Sequence, residues 1–82
     1  MEEADEFDWR ARINIDPGIQ AGKPVIAGTR VPVYVIVGGL ASGASVKEVC
    51  HSYHVTDFDV RAALAYAAEV LAEERVYAIP DR

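Results

Sequence analysis

Cysteine, methionine and tryptophan each occur once in this chain, and bases are scarce: eight Lys and Arg stand against thirteen Asp and Glu, for a formal net charge of −5. A lone thiol, Cys50, excludes an internal disulfide. No N-terminal stretch pairs basic residues with an apolar core as a secretion leader does, so a cytoplasmic protein is expected. The longest apolar stretch, Val31 to Ala41, falls far short of the roughly 20 residues that cross a bilayer, and no membrane contact is expected. Affinity for a phosphate backbone comes from clustered cations, which this composition lacks. No repeat, low-complexity tract or linker divides the chain.

What is present is a globular composition, 51% hydrophobic and 26% charged over 82 residues. A chain of this size buries only about 60% of its unfolded surface, so a partner or a second copy is expected to add stability. Residues 1–8 hold Glu2, Glu3, Asp5, Glu6 and Asp8 without a base and read as an acidic flexible tail. Residues 9–82 read as one domain in which acids and bases balance.

The most shaped segment is Gly22-Lys23-Pro24-Val25-Ile26-Ala27-Gly28-Thr29-Arg30-Val31-Pro32-Val33. Pro24 fixes its own φ and biases Lys23 toward extended backbone, and Gly28 supplies the positive φ that a turn between Val25-Ile26 and Arg30-Val31 requires. Upstream, Arg12-Ile13-Asn14-Ile15 alternates and is followed by Asp16-Pro17-Gly18, which predicts a short strand pairing with Val25-Ile26 or Arg30-Val31. Downstream, Pro32 suits the first position of a helix carrying Val33, Ile36, Val37 and Leu40 on one face and ending at Ser42-Gly43. Gly38 and Gly39 inside that helix point to close approach of a neighbouring backbone.

Ser45-x-x-Glu48 has the form of a capping box and opens a short second helix with Val46, Val49, Cys50 and Tyr53 on its apolar face. Thr56-x-x-Asp59 opens a long third helix whose face runs Val60, Ala63, Leu64, Ala67 and Leu71. That helix outruns the others, so its end near Val70, Leu71 and Tyr77 is the expected self-association surface, and Pro80 stops it. The expected fold is mostly α: a trihelical, helix-turn-helix-like core preceded by a small irregular β element.

Several chemistries are set aside. Gly18 to Pro24 lacks the spacing and the Ser or Thr of a phosphate loop. Cys50, His51 and His54 lack a fourth ligand for zinc, so no metal or cofactor is expected. Cys50 and His51 are adjacent and point in different directions on a helix, which removes a catalytic dyad and leaves no catalytic residue to name. The aromatics Trp9, Tyr34, Tyr53 and Tyr66 read as core or interface, because no bases interleave with them in sequence.

Taken together, the runs Ile13 to Pro17, Gly22 to Val33, Gly43 to Val49 and Asp59 to Ala67 make the chain resemble domain of unknown function family 433. These are small prokaryotic proteins regarded as antitoxin-like partners of PIN-like ribonuclease toxins. The departure is at Tyr53-His54-Val55-Thr56, where relatives often carry Pro or Gly after the tyrosine. The resemblance implies an interaction protein without catalytic machinery or a small-molecule substrate, which neutralises a toxin encoded by a neighbouring gene by occluding its acidic, metal-binding pocket. Arg30 is then the candidate plug, with Lys23 second and Thr29 beside it on the loop; the other role open to Arg30 is bonding loop carbonyls or Asp16. Phe7 and Trp9 are candidate anchors for the acidic tail on the toxin. A second expectation is a dimeric helix-turn-helix regulator of its own operon that touches DNA through Arg61 and Lys47. Asp57 and Asp59 in the first turn of the third helix oppose it.

Overall fold

A computed structural model describes residues 7–74. A 3₁₀ turn over Trp9–Arg12 leads into strand β1 (Ile13–Asn14), and β2 (Val25–Ile26) pairs with it antiparallel, Ile13 opposite Ile26 and Asn14 opposite Val25. Helices α1 (Val33–Ala41), α2 (Val46–Tyr53) and α3 (Asp57–Glu73) follow. The protein is therefore three helices behind a two-stranded sheet. Of the two partners expected for β1, Val25-Ile26 is the one used.

Local chemistry sets the element ends. Pro32 (φ −68°, ψ 145°) stands just outside α1 as its N-cap, one position earlier than expected, and Val33 opens the helix. At the other end Gly43 takes φ +107°, and the Ala44 and Gly43 amides donate to the Gly39 and Leu40 carbonyls at 3.1 and 3.0 Å, which satisfies the last orphan acceptors. Both capping boxes form: Ser45 with Glu48 on α2, and Thr56 with Asp59 on α3. His54 occupies the turn between α2 and α3 at φ 57°, the left-handed conformation that glycine would otherwise supply.

The core is one cluster of Ile26, Val33, Ile36, Val49, Val55, Val60 and Ala63. Two expectations about it need correcting. Leu64 and Leu71 do not lie on the inward face of α3 but are exposed, whereas Tyr66 packs against the core. The cause is that α3 packs against the N-terminal 3₁₀ turn as well as α1 and α2, so its covered face takes in Ala62 and Tyr66 beside Val60 and Ala63. The glycines of α1 also differ from expectation. A side chain at Gly38 would meet nothing within 4 Å, and at Gly39 the neighbour is the Val49 Cγ2 methyl at 3.4 Å rather than backbone.

On α2 only Val49 is fully buried, while Val46 and Tyr53, at its two ends, are exposed. Residues 1–6 of the expected tail, together with Tyr77 and Pro80, lie outside the described residues. The last two tail residues are built into the fold: the Asp8 carboxylate accepts from the Arg10 amide at 3.2 Å, and Phe7 stacks on Phe58 with ring centroids 5.9 Å apart.

Candidate partner-binding site

Between β2 and α1 the chain turns sharply at Ile26–Thr29. Gly28 takes φ +80°, the Thr29 amide donates to the Ile26 carbonyl at 3.0 Å, and the Ile26 amide in turn donates to the Val31 carbonyl at 2.9 Å. Thr29 braces this turn through its hydroxyl, which donates to the Ile26 carbonyl at 2.7 Å and accepts from the Val31 amide at 2.9 Å. Both bonds of the Thr29 hydroxyl are thus internal and shape the loop that carries Arg30. Arg30, the next residue, is exposed. Among the described residues its guanidinium forms no hydrogen bond or ion pair, neither with loop carbonyls nor with Asp16, whose carboxylate accepts from the Gly18 amide at 2.8 Å.

The Arg30 main chain, by contrast, is held. Gln20 Nε2 donates to the Arg30 carbonyl at 3.1 Å, and Gln20, Ala21 and Gly22 run through three successive left-handed conformations (φ 50°, 56° and 85°). Lys23 follows directly, and its ammonium lies 5.5 Å from the centre of the Tyr34 ring on the first turn of α1. Tyr34 is 62% exposed.

The remaining candidates engage one another along α3. Phe7, expected as a partner anchor, stacks on Phe58, and the Arg61 guanidinium sits 4.3 Å from its centroid. Trp9, the second anchor, meets Tyr66 edge-on at 6.2 Å and carries the Arg10 guanidinium at 4.4 Å. Arg10 also pairs with Glu69 at 2.7 Å, and Arg12 pairs with Asp59 at 3.0 Å while lying 5.3 Å from the Phe58 ring. Phe7 and Trp9 thus strap the N-terminal segment to the protein's own third helix. Arg10 adjoins Trp9 in sequence, but Arg12 and Arg61 reach the Phe58 and Phe7 rings only through the fold, a juxtaposition with no local signal in the sequence.

Arg61 and Lys47 are both exposed, and Asp57 stands exposed at the N-terminus of α3. Val70 and Leu71 are exposed on the last turns of the same helix. Beside Val70 a cleft of about 330 Å³ opens between Trp9, Ile13, Ile15 and Tyr66, rimmed by Arg10, Glu69 and Glu73. Cys50 is half-buried; that burial, then the carboxylates of Asp57 and Asp59, push its thiol above the ordinary value of 9.0. Among the described residues no three of His, Cys, Asp and Glu converge as a metal site requires.

Residues 13–67, which hold the sheet, the Arg30 turn, α1, α2 and most of α3, match the family described as protein of unknown function, DUF433. The chain belongs to the DUF433 family. A DUF433 protein of Anabaena variabilis has a crystal structure that superposes with a TM-score of 0.69 at 33% identity, covering 76% of this chain and 62% of that one. Rv2018 of Mycobacterium tuberculosis superposes with a TM-score of 0.61 at 36% identity over 67% of this chain, but only 26% of its own. The uncharacterized protein y4eO of Sinorhizobium fredii is 37% identical over 59 residues, 71% of this chain and 27% of its own length. The DUF433 chain therefore spans little more than a quarter of the longer relatives it matches.

Proposed function

We propose that this DUF433 protein is an antitoxin-like interaction module, without chemistry of its own, that neutralises a PIN-like ribonuclease in the cytoplasm by presenting Arg30 to its acidic pocket. The supporting observation is the contrast among cations. Arg10, Arg12, Arg61 and Lys23 lie against internal carboxylates or rings, whereas Arg30 and Lys47 stand exposed with no side-chain partner among the described residues, and of these two Arg30 follows a braced turn. A planar, permanently charged guanidinium engages two carboxylate oxygens at once, and a preorganised loop reduces the entropy lost on insertion. A homodimer formed through Val70 and Leu71 belongs to the same reading, with Arg30 left outside the dimer contact.

The test is co-purification with the product of the adjacent reading frame, followed by a ribonuclease assay with and without this protein. Parent protein is expected to suppress cleavage and Arg30→Ala to release it at unchanged thermal stability. Full suppression by Arg30→Ala rejects the plug. DNA binding is the weaker proposal, because Arg61 rests on Phe7 and acids flank it at Asp57 and Asp59. A gel shift on the upstream region at low and high salt checks it, and no shift at low salt removes it.

A further inference from the structure

Val25 and Pro32 face each other in an antiparallel bridge, flanked by the Ile26 amide bonded to the Val31 carbonyl and the Val33 amide bonded to the Pro24 carbonyl at 2.9 Å. Residues opposite one another, and residues two apart, share a side of such a ladder. Ile26 and Val33 point to the core cluster, with Val31 packed against it, whereas Val25 is buried outside that cluster. Gln20 ties the two ends of this segment together: the Lys23 amide donates to the Gln20 carbonyl at 3.1 Å and Gln20 Nε2 donates to the Arg30 carbonyl at 3.1 Å, with the Lys23 ammonium 5.5 Å from the Tyr34 ring centre. All four of these residues are exposed.

We infer that Arg30, Lys23 and Tyr34 form one contact face for a carboxylate-rich protein surface, and that Gln20 is the positioning residue that holds it. This rests on the reading given under Proposed function and names the further residues of that site. Lys23 and Arg30 are joined through Gln20, which bonds the main chain of both, and two cations tied in this way suit one carboxylate cluster. Tyr34 backs Lys23 with a ring face and adds apolar contact area. A phosphate polymer is the poorer occupant, because its backbone needs a run of cations and this face offers Lys23 and Arg30 among the described residues.

Gln20 earns its place by geometry. It and Ala21 are held left-handed, a conformation that non-glycine residues adopt at a cost. Their reward is a hydrogen bond that crosses ten residues and is itself exposed, so it adds little to stability. What it does is fix the carbonyl of the residue that carries the guanidinium.

The experiment uses the full chain with two probes: a hexaglutamate peptide followed by amide NMR shifts, and inhibition of the neighbouring ribonuclease. Hexaglutamate is expected to shift the amides of Lys23, Arg30 and Tyr34 ahead of all others. Gln20→Asn tolerates the left-handed backbone but is one methylene too short to reach the Arg30 carbonyl. It is expected to loosen the Arg30 amide in NMR relaxation and to weaken inhibition about five-fold, with the melting temperature unmoved. Tyr34→Ala is expected to weaken inhibition by about the same factor. The inference is overturned if hexaglutamate leaves these amides still or shifts others first, or if Gln20→Asn and Tyr34→Ala inhibit as well as the parent. Loss of inhibition in Arg30→Ala alone would then retain the plug without the face, and full inhibition by all three variants would remove both.

Discussion

Arg12 and Asp59 meet at 3.0 Å across forty-seven positions of sequence, and the same Asp59 carboxylate accepts from the Thr56 amide to close the cap of α3. One side chain thus joins the N-terminal strap to the start of the longest helix. Asp59 is mostly enclosed and Arg12 is not, so the cap outweighs the ion pair.

Asp59→Ala removes both contacts and is expected to lower stability by about 2 kcal/mol, against less than about 1 kcal/mol for Arg12→Ala, in urea unfolding. Equal losses from the two substitutions would show that the ion pair, rather than the cap, dominates.

Gly38 is an exposed helical glycine with room for a side chain. Gly38→Ala should therefore stabilise the protein by about 1 kcal/mol, a rise of roughly 4–8 °C in melting temperature for a domain of this size. Gly39→Ala brings its methyl to 3.4 Å from Val49 Cγ2, the near edge of ordinary contact, and is expected to gain less. Calorimetry on the two variants decides between open space and hidden contact at Gly38.

His54 sits left-handed at the end of α2 with an exposed side chain. His54→Gly is expected to raise stability by about 0.5–1 kcal/mol and His54→Val to lower it by at least as much, because a β-branched residue resists positive φ. Thermal unfolding of both gives the sign.

For Cys50 the folded thiol titrates above 9.0, the value taken in the unfolded chain, so its contribution to stability is complete below about pH 9 and is lost as pH rises through the folded value. Alkylation by iodoacetamide at pH 8 should accordingly be slower in the folded protein than in urea. Asp57→Asn, which removes the larger of the two carboxylate effects, should speed it in the folded state. Equal rates folded and unfolded would contradict the shift.

Much of the local structure was legible because its causes are local. Both capping boxes, the Gly28 turn and the Gly43 helix end each depend on residues within a few positions, and each formed where spacing placed it. Helix faces were less legible: periodicity marks an apolar stripe but not how many neighbours cover it, and the N-terminal strap turned Tyr66 inward while Leu64 and Leu71 remained outside. Gln20 was illegible as a brace, since its partner lies ten residues away and two strained residues must align it.

Sequence alone determined three helices, their caps and a glycine-centred turn carrying Arg30, since these follow from backbone conformation and neighbouring side chains. Only tertiary structure decided which cations are held. Coulombic and aromatic contacts depend on distance in space, and folding brings Arg10, Arg12 and Arg61 onto rings and carboxylates while leaving the Arg30 guanidinium facing solvent.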